Sequence, residues 1–439
     1  MHDPAALTAL EKKHLWHPFT AMANWCAPGH EPVMLVEGKG CVLRDSTGRE
    51  YLDGNSSIWT NIHGHGHPVI TGAIEKQLRK VAHTSFLGLS HPLAAKLAAE
   101  LVMLFEAGES KLQRVFFSDN GSTAVECAVR MALQYWAQNG RPERVELAAF
   151  EGAYHGDTLG AVSLGGIAAF RGVSERVGYP VRRLARIEDL EGLDANTLAA
   201  VVIEPLIQGA AGMRLWPQGL LRALSDWCQQ HDVFLILDEV MTGFGRTGTM
   251  FACQQEGVVP DFIALAKGLT GGYMPLAATL TSERVFEGFL GRPEDGRTFY
   301  YGHSYTANAL GCAAALGSLR VFRKEQVMLR LPAKMARLAS ELRRFEALPW
   351  VAETRQCGLI AGIDLVAQKN PKKAFEPRQL MGAAVCAAAR DLGLLTRPVL
   401  DTLVLMPPLV ATENEITQMA DALFSAVNKV CGVSPPACF

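Results

Sequence analysis

The chain has 439 residues, with 42 Lys and Arg against 44 Asp and Glu for a net charge of −2, and is 49% hydrophobic and 20% charged. That length suits two lobes built around a sizeable core. The near-balanced charge, with no run of basic residues, gives no support to nucleic acid or an anionic membrane as a partner, so small molecules are the expected ligands.

The first 20 residues carry Glu11, Lys12, Lys13 and His14 where a signal peptide needs its apolar stretch. No apolar run approaches the ~20 residues of a membrane-spanning helix. A cytoplasmic protein is expected. Val33–Leu52 reads as a small antiparallel unit, with Asp45-Ser46-Thr47-Gly48 as its turn. Helical periodicity follows over Val69–Val81 and Pro92–Phe105. Then strands and helices alternate. Arg114–Ser118 is a strand, and Thr123–Trp136 is a helix with Val125, Ala128, Val129, Ala132 and Trp136 on one face. Val145–Phe150, Leu198–Glu204, Val233–Glu239 and Phe262–Ala266 are strands, Leu220–His231 is a helix, and Ala277–Thr281 is expected to pair nearby. Short continuous apolar runs between helices indicate strands buried on both faces, hence an α/β architecture with a mostly parallel sheet. From Asn308 the pattern turns helical, over Asn308–Phe322 and Leu329–Leu348. Leu359–Val366, a helix near Arg378–Gly393 and Thr402–Met406 suggest a separate α+β lobe. The expected division is a small-domain N-terminal segment over 1–60, a large domain over 61–325 and a C-terminal small domain over 326–439.

The ten cysteines (Cys26, Cys41, Cys127, Cys228, Cys253, Cys312, Cys357, Cys386, Cys431 and Cys438) include no C-x-x-C pair. They are expected to be reduced, core-packing thiols, and no metal site is expected.

Three strand ends carry the chemistry. Asp238 closes the strongest buried-strand signal, at the end where ligands bind in open α/β sheets. A lone buried carboxylate there is costly, so it needs a partner. Taken alone it reads equally well as a capping residue. Lys267 follows the next apolar run, 29 positions later, and alone reads as a snorkelling lysine. Together they form the pair that pyridoxal-phosphate (PLP) chemistry needs: an amine for the cofactor aldehyde and a carboxylate for the ring nitrogen. Ser118-Asp119-Asn120-Gly121-Ser122-Thr123 joins a strand to a helix. Gly121 permits close approach, and the helix start offers free N–H groups for a phosphate, although many ordinary N-caps look the same. Tyr154, in Phe150–Asp157, could cover a flat ring. Glu204-Pro205 supplies a third strand-end carboxylate, beside the Gln208–Gly212 loop.

Leu237-Asp238-Glu239-Val240-x-Thr242-Gly243-Phe244-Gly245-Arg246-Thr247-Gly248, followed by Ala266-Lys267-Gly268, resembles the signature of class III aminotransferases, which have PLP fold type I. Ser118–Ser122, Tyr154-His155-Gly156-Asp157 and Ile203-Glu204-Pro205 match as well, and the resemblance runs from His14 to Pro408. Within the class, His17-Pro18-Phe19-Thr20, Asp53-Gly54-x-Ser56-Ser57-x-Trp59, Ile62-His63-Gly64, Ala132–Trp136, Arg397-Pro398 and Leu405–Pro408 resemble the diaminopelargonic acid aminotransferases. These aminate 8-amino-7-oxononanoate to 7,8-diaminononanoate in biotin synthesis. The resemblance implies a large domain with a mostly parallel sheet between helices, and a smaller domain drawn from both termini. It implies that Lys267 holds the cofactor as a Schiff base and moves a proton, that Asp238 pairs with the ring nitrogen, and that Tyr154 covers the ring and meets substrate. Gly121 and Ser122 would hold the phosphate, with Glu204 and Val240 also at the cofactor. His303 and Ser304 would reach a partner subunit's cofactor across a homodimer interface. Phe19, Ile58, Trp59, Tyr154, Gly302 and Arg397 would contact substrate, Arg397 through its carboxylate.

The chain departs from many members. It has Phe19 in place of Tyr, Ile58-Trp59 in place of two Trp, Val399 in place of an aromatic, and Gly302-His303-Ser304 in place of Gly-Pro-Thr. These positions lie where S-adenosylmethionine is held, and the pattern is more like the subgroup that uses L-lysine as donor. Rival readings are a class III transaminase of ornithine, 4-aminobutyrate or a polyamine, a decarboxylase or aminomutase on the same fold, and a non-catalytic PLP-binding protein. The presence of Lys267, Asp238 and Tyr154 together argues against the last.

Overall fold

The computed structural model describes residues 4–105, 112–172, 174 and 177–432. Its centre is a seven-stranded sheet. Taking strands in chain order, β1 is Leu35–Lys39, β2 Val42–Asp45, β3 Glu50–Asp53, β4 Leu112–Ser118, β5 Glu146–Phe150, β6 Val181–Leu184, β7 Leu198–Ile203 and β8 Ile207–Gln208. β9 is Arg214–Leu215, β10 Phe234–Asp238, β11 Phe262–Leu265, β12 Ala277–Ser282, β13 Val351–Cys357, β14 Ile360–Leu365, β15 Leu394–Leu395 and β16 Thr402–Leu405. The large sheet runs β4-β12-β11-β10-β7-β5-β6. β12 is antiparallel to both its neighbours, and the remaining pairs are parallel. This is the mostly parallel α/β sheet of fold type I.

The continuous apolar strands follow from burial on two sides. In β10, Phe234 and Ile236 join one core while Leu235 and Leu237 join the other. β7 and β11 divide in the same way, with Val202 and Phe262 on one side and Val201 and Ile263 on the other. With no solvent face, the strands show no polar alternation. The helix Gly121–Gln138 covers one side and buries Val125, Ala128, Val129, Ala132 and Trp136, the stripe its periodicity indicated. Trp136 donates its indole N–H to Ala199 O at 2.9 Å and so locks that helix to β7. On the other side the helices Pro68–Leu78 and Ala309–Lys324 pack closely. A Cβ at Gly317 would lie 3.1 Å from Ile70 Cα, so glycine lets the two helices approach closely there.

Two smaller sheets join distant parts of the chain. β1, β2 and β3 are antiparallel, and β15 adds beside β3 in parallel, with Leu394 opposite Leu52. β13, β14 and β16 form an antiparallel sheet. The helices Val327–Glu346, Met381–Asp391 and Glu413–Cys431 pack with these strands. Among the described residues no helix is long and apolar enough to cross a membrane. The nine described cysteines are free thiols and seven are buried, while Cys438 lies outside the described residues.

Candidate active site

β10 and β11 are adjacent parallel strands with Asp238 opposite Ala264, so Asp238 and Lys267 emerge at the same carboxyl end of the sheet. Directly after β11 the backbone turns sharply, and Lys267 has φ +42°. A residue in this region is held there by its surroundings. Here the strain turns the side chain into a cavity of about 410 Å³ instead of along the strand. Trp59, Gly121, Ser122, Tyr154, Glu204, Asp238, Val240 and Lys267 all line that cavity.

Asp238 is buried, and both its oxygens are occupied. Oδ2 lies 2.8 Å from His155 Nδ1, and Oδ1 accepts the Val240 N–H at 3.1 Å. Burial pushes the His155 imidazole down, but its hydrogen bond to Asp238 and the charges of Asp238 and Glu204 carry it above its ordinary value. His155 Nε2 is buried without a partner. The sequence showed His155 only as part of a motif. Nothing local indicated that it would meet a carboxylate 83 positions away.

The Lys267 ammonium has the opposite balance. Its surface opens only partly to the cavity. Burial lowers its pKa, the charges of Asp238 and Glu204 oppose that, and Arg246 adds to the lowering. Its Nζ lies 4.7 Å from the Trp59 ring centroid. Lysine in such a setting loses its proton more readily and becomes a nucleophile. Glu204 is buried, which pushes its carboxyl up to about 7. The nearby Asp238 charge adds to the rise, and His155 and the N–H groups of Gly209 and Tyr154 offset part of it. Those two N–H groups donate to Glu204 at 3.0 and 3.1 Å. The carboxylate thus ties the 209–212 loop to the Tyr154 segment. Glu239, fully buried, accepts from Thr242 Oγ1 and from the N–H groups of Ala252 and Cys253, and so fixes the chain leaving β10.

The helix that begins at Gly121 lines the same cavity as Lys267. Asn120 Oδ1 accepts the Thr123 N–H at 3.1 Å, so the side chain caps its own helix. The N–H of Asp157 donates to Ser122 Oγ at 3.0 Å and brings the Tyr154 segment alongside. Two glycines keep this corner open. A Cβ at Gly121 would lie 2.7 Å from Val240 Cγ1, and one at Gly156, where φ is +116°, would lie 1.8 Å from Ser122 Oγ. Burial raises the Tyr154 phenol, and Asp157, which accepts its O–H at 2.6 Å, raises it further.

Other expected residues lie outside the cavity wall of the single chain. Phe19 is exposed, and its ring packs edge-on against Phe170, which in turn meets Tyr154. Arg397 is exposed and donates to Phe19 O at 3.3 Å. Ile58 is exposed beside Trp59. His303 Nε2 lies 3.4 Å from Asp119 Oδ2, one residue from the capping Asn120, while Gly302 and Ser304 face solvent. Phe170, Thr60 and Met241 add to the site and its rim, and only their neighbours in space reveal them.

The donor set suits PLP. An amine, a carboxylate and a helix start at Gly121 line one cavity, with Gly156 of the adjoining segment among its lining, and the cavity is large enough for a substituted pyridine. A family model for class III aminotransferases matches residues 25–427. An adenosylmethionine-8-amino-7-oxononanoate aminotransferase of Nitratidesulfovibrio vulgaris is 46% identical, over 96% of this chain and 82% of that one. The protein of that name from Geobacter sulfurreducens is 42% identical over 98% and 99%. The crystal structure of the Methanocaldococcus jannaschii protein of that name superposes with a TM-score of 0.94 at 36% identity, covering 98% of this chain and all of that one. A PLP-bound amine transaminase from an uncultivated Pseudomonas species superposes with a TM-score of 0.88 at 32% identity, covering 95% and 98%. The chain belongs to the class III aminotransferases, enzymes that work with PLP.

Proposed function

We propose that the chain transfers an amino group to 8-amino-7-oxononanoate, giving 7,8-diaminononanoate for biotin synthesis. The reaction type is carried by one observation: an amine and a buried carboxylate at the ends of adjacent parallel strands, opening into one cavity. The substrate reading is supported by the names of relatives 46% and 42% identical along nearly the whole chain.

Bound PLP supplies an aldehyde and an electron-accepting ring. The chain's residues do the rest. Lys267 Nζ would hold the cofactor through its aldehyde and would move a proton at the substrate carbon, and burial, which lowers its pKa, favours the neutral amine that both roles need. Asp238, fixed by His155 and the Val240 N–H, is the carboxylate for the ring nitrogen. Gly121, Ser122 and the helix start hold the phosphate. Val240 and Glu204 shape the cofactor pocket, and Tyr154 covers it. Trp59 and Ile58 form the substrate side, with Phe19 at the rim. Arg397, whose fork suits a carboxylate, lies next to Phe19. The 302–304 segment, with Gly302 and Ser304 exposed and flanked by exposed Tyr300 and Tyr305, fits a contact with a second copy, His303 and Ser304 reaching that copy's phosphate. The small domain is drawn from both termini, consistent with β15 pairing with β3. We place the enzyme in the cytoplasm.

S-adenosylmethionine is the donor that the relatives' names indicate. L-lysine is a second reading, favoured by Phe19, Ile58, His303 and Val399. The test loads the protein with PLP, offers each donor alone, follows the cofactor spectrum, and then adds 8-amino-7-oxononanoate. Formation of 7,8-diaminononanoate by mass supports the assignment, and the donor that changes the spectrum identifies itself. No product with either donor would transfer the chain to another class III reaction.

A further inference from the structure

Just after β3, four consecutive residues turn left-handed. φ is +46° at Ser56, +48° at Ser57, +62° at Ile58 and +68° at Trp59. The Trp59 N–H donates to Asn55 O at 2.8 Å and the Thr60 N–H to Ser56 O at 2.9 Å, which closes one turn of left-handed helix. The turn contains neither glycine nor asparagine, and Ile58 is β-branched, the type least suited to this region. Such a conformation persists only where its surroundings over-determine it.

Asp53, at the end of β3 and 2% exposed, commits both oxygens to this turn. Oδ1 accepts the Ser57 N–H at 2.9 Å. Oδ2 accepts the Ser57 O–H at 2.8 Å and lies 3.0 Å from His65 Nε2. His65 Nδ1 in turn faces Asn61 Nδ2 at 2.9 Å. Ser56 donates its hydroxyl to Met406 O at 2.6 Å, and the buried Arg246 guanidinium joins Asn61 O to Pro407 O. The turn presents Trp59, whose indole N–H donates to Asn55 Oδ1 at 2.9 Å and whose ring stands beside Lys267 Nζ. A Cβ at Gly209 would lie 3.2 Å from that ring, so the Trp59 wall is tightly backed.

We infer that Asp53 is a positioning residue for the substrate pocket: through Ser57 and His65 it holds the left-handed turn that sets Trp59 beside Lys267, and so sets the grip on the keto substrate. The inference rests on reading Trp59 as a wall of the substrate site. The test compares Asp53→Ala and Asp53→Asn with the double variant Asp53→Ala/Ser57→Gly. Glycine adopts positive φ freely, so it removes the strain that the brace opposes. The first readout needs no substrate. The indole N–H resonance of Trp59, assigned by its loss in Trp59→Phe, shifts or broadens in Asp53→Ala and returns in the double variant. The second is kinetic: KM for 8-amino-7-oxononanoate rises more than kcat falls, with kcat/KM down by up to about 10²-fold, the scale of a misplacement of about 1 Å. The absorbance of cofactor linked to Lys267 stays unchanged. If Asp53→Ala does not fold, Asp53→Asn, which keeps one acceptor, carries the same comparison. An unmoved Trp59 resonance in a folded variant overturns the inference, as does loss of the lysine–cofactor absorbance in step with activity, or a double variant in which the resonance does not return. If the wild-type protein ignores 8-amino-7-oxononanoate, the functional reading fails while the resonance test of the brace still decides.

Discussion

Replacing Gly156 by alanine tests the phosphate corner directly. Position 156 has φ +116°, a conformation that L residues rarely adopt, and the new Cβ would meet Ser122 at 1.8 Å from Oγ, 2.5 Å from Cβ and 2.8 Å from Cα. Rotating the Ser122 side chain removes only the first contact, so backbone must move as well. The backbone conformation costs about 1–3 kcal/mol, and overpacking adds about 1–3 kcal/mol. Part of that strain is relieved by displacing the helix start at Gly121-Ser122, where the phosphate is read to bind. With about 1.4 kcal/mol per decade of affinity, PLP binding should weaken by about tenfold or more. The hydrogen bond from the Asp157 N–H to Ser122 Oγ should be lost with it. The assay is a titration of cofactor-free Gly156→Ala with PLP, followed by absorbance, against the wild-type protein. Affinity within about twofold of wild type in a correctly folded variant would refute both the geometry and the assignment of this corner to the phosphate.

Two further outcomes follow from the same site. Lys267→Ala should abolish turnover and the visible absorbance that the lysine–cofactor bond produces; survival of both would sink the assignment of Lys267. The Glu204 carboxyl is raised to about 7 from an ordinary 4.5, so the folded protein holds a proton there that the unfolded chain has released. Stability from this group is therefore fully present below about pH 4.5 and is lost as pH rises to about 7, by about 3 kcal/mol in all. Glu204→Gln, melted without cofactor beside the wild type, should gain relative stability as pH rises across that window. A difference independent of pH would show that burial does not control this group.

The legible parts of the chain were those where one physical requirement acts on consecutive residues. β10 and β11 must be apolar at every position because both faces are covered, and the same requirement makes Asp238 and Lys267 conspicuous at their ends. The capped start at Asn120 and the amphipathic helix beyond it are equally local, since a cap and a 3.6-residue stripe lie within one segment. β6, β13 and the helix Glu413–Cys431 were less visible. β13 mixes exposed and half-buried positions, so its pattern is not that of a buried strand.

The site shows the same division. The sequence by itself determined most of the strands and helices in their order, the two charged strand ends and, by resemblance, the family. Only the tertiary structure decided that His155 meets Asp238, that Glu204 ties two loops together, and that Phe19 and Arg397 adjoin each other at a rim rather than in the cavity wall. Each of these is a contact between residues far apart in the chain, and periodicity reports which face of an element is buried but not what covers it. The left-handed turn at Ser56–Trp59 is the extreme case. Its own residues disfavour the conformation, and it exists because Asp53, His65, Arg246 and the backbone at Met406 and Pro407 hold it from outside.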